Sequence, residues 1–143
     1  MTPQDSQRQI TALNAQVDAL SAEERARFDR LFHVSVTTGQ TVPPAAMHPW
    51  IEGHFGSVEA VRQQRIVKVT NLVTLEGALF NELRARRPFE APTDTDDLEE
   101  TIRSSAGGPF CQPQEGTPAD AFGRIQGQYA STASNVAKYD GWH

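Results

Sequence analysis

Apolar residues along the chain recur at helical spacing first and at alternating spacing later. Ile10, Leu13, Val17 and Leu20 fall three and four residues apart, one stripe of an amphipathic helix. Ser21 followed by Glu24 has the spacing of a capping box, which predicts a second helix starting there with Phe28, Leu31 and Phe32 turned inward. From Val34 to Pro44 the pattern breaks, and Thr37, Thr38, Gly39 and the Pro43-Pro44 pair predict a turn-rich connection. A short helix through Met47, Trp50 and Ile51 is expected before Gly53 and Gly56 interrupt it, and Ser57 is placed to cap another carrying Val58 and Val61.

The character changes at Ile66. Ile66 to Thr70 is rich in β-branched residues and alternates apolar with polar, which predicts a half-buried strand. A second extended segment is expected around Ala78 to Phe80, with the turn near Asn71 to Gly77. Leu75, Leu79 and Leu83 also fit a helical period, so a helix over Leu72 to Leu83 is the alternative. Pro88, Pro92 and the acidic run from Asp94 to Glu100 read as a surface excursion and a short helix that finishes with Arg103 before Gly107-Gly108. A calcium loop would need a glycine and a terminal glutamate that this run lacks. Thr117-Pro118-Ala119-Asp120 has the cap, proline and acid of one more helix start, with extended segments expected over Ile125 to Ala130 and Ser134 to Val136. The fold class is α+β: helices over 1–64, then a small antiparallel sheet in a mixed region over 65–143.

Composition narrows the function classes. The 143 residues carry 13 Lys and Arg against 18 Asp and Glu, a net charge of −5. That balance argues against nonspecific nucleic-acid binding, which relies on basic surface. No apolar run approaches the roughly 20 residues of a membrane helix, and the N-terminal stretch has no secretory pattern. One cysteine excludes an internal disulfide framework and fits a reducing compartment, so a cytoplasmic location is expected.

Several chemistries are missing. The chain has no GxxxxGK[ST], no GxGxxG and no GxSxG. His48 and His54 lie six residues apart, a separation that puts them on opposite sides of a helix. Cys111, the only thiol, reads on its own as a packing residue. One series stands out: Asn71-Leu-Val-Thr74, then Arg84-Ala-Arg-Arg87-Pro88, then Gly108-Pro-Phe-Cys111, Thr117-Pro118, and Asn135 with Lys138. Arg84 and Arg87, at i and i+3, can converge on a phosphate with two planar forks of donors; the alternative is a pair of solvated surface arginines.

In this order the series resembles the N-terminal half of the galactose-1-phosphate uridylyltransferase family, within the histidine-triad superfamily. Members carry a strand reading roughly N-P-x-T-G-x-W and a closing R-x-x-R-P; Asn71, Thr74, Leu79, Arg84, Arg87 and Pro88 match that frame. The resemblance runs from Asn71 to the end, and the segment from Asn135 to His143 also looks like related dinucleoside-polyphosphate phosphorylase-type proteins. It implies that Arg84 and Arg87 contact nucleotide phosphates or ribose, that Asn135 contacts the nucleotide, and that Cys111 is the second ligand of a zinc site; Lys138, beside Asn135 in the series, is a further candidate for nucleotide or phosphate binding. Gly108 stands where the first zinc cysteine belongs, Leu72 replaces the motif proline and Gly77 the tryptophan. Family chemistry proceeds through a nucleotidyl-histidine in a His-x-His arrangement, and His33, His48, His54 and His143 form no such motif. The expectation is therefore a nucleotide- or nucleotide-sugar-binding half-domain without its nucleophile, as a fragment of a longer enzyme or a reuse of the fold. A noncatalytic protein interaction module is the competing class, and a homodimer or partner subunit that completes the sheet edge is a third possibility.

Overall fold

The computed structural model describes residues 10–86 and 98–141. A 3-10 turn, Ile10–Ala12, leads into helix α1, Leu13–Asp18. Helix α2, Ala22–Phe28, starts on the expected capping box: the Ser21 hydroxyl accepts from the Glu24 N–H, and the Glu24 carboxylate accepts from the Ser21 N–H. The helix ends at Phe28, so Phe32 is not on it, and Leu31 is exposed.

The segment after Leu31 corrects the expected turn-rich connection. Phe32–Gln40 is strand β1, nine residues long. Helix α3, His48–Phe55, follows a 3-10 turn at Ala45–Met47 and runs through Gly53 without a break. It stops at Gly56, whose φ of 88° is the left-handed geometry that glycine adopts without steric cost. Helix α4, Val58–Arg62, is capped by Ser57 as expected and passes directly into β2, Gln63–Asn71. Strand β3, Gly77–Asn81, and helix α5, Glu82–Ala85, replace the helical alternative over Leu72 to Leu83. Helix α6, Leu98–Ser105, holds the described part of the acidic run; Pro88, Pro92 and Asp94 lie outside the described residues.

The sheet order is β1-β2-β3, antiparallel throughout. Phe32 faces Asn71 at one end of the β1–β2 ladder and Gln40 faces Gln63 at the other. The ladder thus joins residues from both sides of the 64/65 division. Adjacent side chains on a strand point to opposite faces. Ile66 and Val67, both fully buried, therefore bury one residue on each face of the central strand.

Arg65 shares the Val67 face and donates to the Thr11 carbonyl at 2.9 Å, which fixes the N-terminal turn over that side. On the Ile66 face, a Cβ added to Gly39 would sit 2.7 Å from the Lys138 Cβ and 2.8 Å from the Ile66 Cδ1, so the C-terminal segment packs there. The main apolar cluster of Met47, Ile51, Phe55, Val61 and Leu83 is built by the 3-10 turn before α3 and by α3, α4 and α5.

The expected helix start at Thr117 is also corrected. Helix α7, Pro113–Gly116, ends there instead. Ala119 exchanges both backbone hydrogen bonds with Val42, at 2.8 and 2.9 Å, and Asp120 bridges to Gly123. Two long-range backbone bonds outweigh a local cap signal because they satisfy groups that burial would otherwise strand. The segments over Ile125 to Ala130 and Ser134 to Val136 form no strand; Gln126 makes a single bridge to Ser131. Among the described residues no helix is long and apolar enough to cross a membrane.

Candidate functional site

A groove of about 400 Å³ opens between the N-terminal turn and the β3–α5 junction. Ile10, Leu79 and Phe80 are the apolar residues along it, and Arg84 and Arg86 line it as well. Glu82 also lines it, where its carboxylate accepts a 2.5 Å hydrogen bond from the Thr11 hydroxyl.

Asn81, buried at the groove's base, organises the basic side. Its carbonyl oxygen accepts from the Leu83 N–H at 2.9 Å, capping the short helix that carries Arg84. Its amide donates to the Gln64 side-chain carbonyl at 2.8 Å and to the Lys138 backbone carbonyl at 2.9 Å. One side chain thus ties α5, β2 and the C-terminal segment together. The Arg84 guanidinium lies 4.4 Å from the centre of the Tyr139 ring, directly above it. Helix α5 ends at Ala85, and Arg86 follows with φ −95° and ψ 0°, which brings it to the groove beside Arg84.

Arg84 lines the groove; Arg87 lies outside the described residues. Asn135 is exposed and lines neither this groove nor the second cavity described below. Lys138 requires a correction. Its side chain is completely buried, and its ammonium donates to Asp120 Oδ1 at 2.8 Å and to Ser134 Oγ at 2.6 Å. An ammonium held on both sides inside the protein is a packing group, because a bare charge there would be prohibitively costly and Asp120 and Ser134 already accept from it.

The network around Lys138 is nearly saturated. Gln64 accepts at Oε1 from both Asn81 and the Lys138 N–H, and donates from Nε2 to the Val61 and Val136 carbonyls at 2.6 Å each. Such a network specifies one arrangement of the chain, since any half-formed version leaves buried polar groups unpaired. Asp120 reaches a second cavity of about 240 Å³, which Thr38, Gln40 and Phe122 also line.

Cys111 is exposed on the turn where its N–H donates to the Gly108 carbonyl at 2.8 Å. Among the described residues no three His, Cys, Asp or Glu side chains gather where one metal ion could sit. The donors around Cys111 do not fit a zinc site. His54 donates from Nδ1 to the Trp50 carbonyl at 2.7 Å and lies against the Trp50 ring at a tilt of 33°, while His48 Nε2 is buried without a hydrogen-bond partner. The two rings share no site.

Arg86 is the groove residue that spacing arguments passed over. The Arg84-Ala-Arg-Arg87 run contained it, but i, i+3 pairing pointed to Arg87, which lies outside the described residues; Arg86 follows directly on the end of α5. Asn81 carried a local signal as well, being a cap residue followed by Glu82, yet its long-range amide bonds leave no trace in sequence. No family model, curated protein or solved structure matches the chain.

Proposed function

We propose that this chain binds a nucleoside phosphate or nucleotide sugar in the groove beside β3, as the binding half of a nucleotidyltransferase-like protein. The observation that carries this reading is that Arg84 and Arg86 line one groove together with Ile10, Leu79 and Phe80. Guanidinium forks match phosphate oxygens in geometry and charge, and an apolar side accepts the flat face of a base. Glu82, being engaged by Thr11, sets a boundary to the anion and disfavours phosphates at that end. Transfer of a nucleotidyl group would need a nucleophilic imidazole, and His33, His48 and His54 do not line the groove. The described part of the chain therefore binds and orients.

Calorimetric titration with UDP, ADP and UDP-glucose tests the reading, with Arg84→Ala/Arg86→Ala as control. Two charge-assisted contacts together contribute roughly 3 kcal/mol, so the double variant should bind about a hundredfold more weakly. Absence of binding in the parent, or equal binding in the double variant, refutes it.

A second reading, a protein interaction module, is favoured by one feature. Leu75, at the tip of the β2–β3 hairpin, has a φ of 62° and is 79% exposed, with Val73 exposed beside it. A branched apolar residue held in left-handed backbone without burial is a conformational outlier of the kind concentrated at functional surfaces. Leu75→Asn relieves that conformation and should stabilise the free chain by about 1 kcal/mol. A loss of stability in urea titration would show that the tip is already supported by the fold and remove the argument.

A further inference from the structure

The geometry points to Tyr139 as a positioning residue for Arg84, one that holds the guanidinium over its ring so that the fork is ordered at the groove before an anion arrives. The inference rests on the reading of the groove as a phosphate site and adds the device that prepares it.

Three observations converge. The Arg84 guanidinium carbon stands 4.4 Å from the Tyr139 ring centre, well inside the range of a cation–π contact. Tyr139 does not owe its place to burial, being 43% exposed. Its backbone is instead fixed by the residue before it: Lys138 donates its N–H to Gln64, offers its carbonyl to Asn81, and anchors its side chain on Asp120 and Ser134. Asn81 closes the arrangement, since the same side chain that accepts from Leu83 to start α5 also donates to the Lys138 carbonyl. Ring and guanidinium are thereby presented to each other by two segments sharing one buried anchor.

An arginine free in solution loses rotamer freedom when it binds phosphate, and that loss weakens binding. A ring beneath the guanidinium takes up part of that loss in advance. Arg86 has no such ring in the described surroundings, so the two arginines differ in role: Arg84 is held, and Arg86 adapts.

The test uses the full chain and two substitutions. The Nε–Hε resonance of Arg84 is recorded by nitrogen–proton NMR without ligand in the parent, Tyr139→Phe and Tyr139→Leu. Ring current should displace the signal in the parent and in Tyr139→Phe and return it to an ordinary arginine position in Tyr139→Leu. UDP is then titrated into each. Tyr139→Leu should weaken binding about two- to fivefold, as expected for a solvent-exposed cation–π contact, and Tyr139→Phe should restore it. In an Arg84→Ala background Tyr139→Leu should have no further effect. An Arg84 signal equal in the parent and Tyr139→Leu overturns the inference, and so does unchanged UDP affinity in Tyr139→Leu. Should the parent bind no UDP, the groove reading falls while the ligand-free resonances still decide whether Tyr139 holds Arg84.

Discussion

Replacing Lys138 with methionine removes the ammonium while keeping most of the side chain's length, and so isolates the charge from the packing. In the native chain that ammonium is fully buried between Asp120 and Ser134, and the Asp120 side chain keeps 13% of its exposure. Removing one partner of a buried ion pair costs about 3–5 kcal/mol, because the remaining charge stays desolvated without its counterion. Since water retains some access to Asp120, the lower end, about 3 kcal/mol, is the expected loss. A domain of this size has a total stability of about 5–15 kcal/mol, so the variant should fold but unfold at clearly lower urea concentration. Far-UV circular dichroism against urea measures it, alongside Asp120→Asn and the double variant Lys138→Met/Asp120→Asn. The double variant contains no unpaired charge and should recover about 1–3 kcal/mol relative to the sum of the singles. A Lys138→Met stability within about 0.5 kcal/mol of the parent, the behaviour of an ordinary surface position, would refute the assignment of Lys138 to the interior.

Two further outcomes follow from local geometry. Gly39→Ala inserts a methyl group at 2.7 Å from the Lys138 Cβ, and the overpacking should destabilise the chain by about 1–3 kcal/mol in the same urea assay; a stabilised variant would mean that β1 and the C-terminal segment are not in contact. Hydrogen bonds from the Ser21 hydroxyl, and then from its N–H, hold the exposed Glu24 carboxyl below the ordinary carboxylate range. A folded value below the unfolded one means that the capping box supports α2 fully at neutral pH and loses that support as pH falls through the folded value. NMR titration of the Glu24 carboxyl carbon should show the depressed value in the parent and one closer to the ordinary range in Ser21→Ala, which keeps only the backbone N–H; equal titration in both would place the cause elsewhere.

The groove and the buried network play different parts in any binding function. The network around Gln64, Asn81 and Lys138 has its donors and acceptors matched internally, which suits it to holding segments in place. Arg84 and Arg86 carry charge at the groove, where a ligand can exchange solvent contacts for theirs. Asn81 belongs to both, so the groove's basic edge inherits its position from the interior. That coupling is the reason a residue as far along the chain as Tyr139 can influence an arginine on α5.

Elements whose signals act within a few residues were legible from sequence. Ser21 and Glu24 complete each other's hydrogen bonds within one turn, and Ser57 caps α4 by the same local geometry. The β-branched run at Ile66 to Thr70 prefers extended backbone wherever it is placed. The alternation of Phe32, Val34 and Val36 was hidden by the Thr and Gly residues that follow, and β1 is defined by its ladder to a strand more than twenty residues away. The helix signal at Thr117 lost to two backbone bonds with Val42.

The candidate site divides along the same line. Arg84 stood out because a cluster of arginines is visible in one dimension, and Lys138 and Arg84 look alike there, as two basic residues. Tertiary structure gave them opposite fates: Asp120, Ser134 and Gln64 close around one, and the other stays at the groove above Tyr139. Whether a charge is solvated or buried depends on which distant groups arrive to compensate it, and only the folded chain brings those groups together.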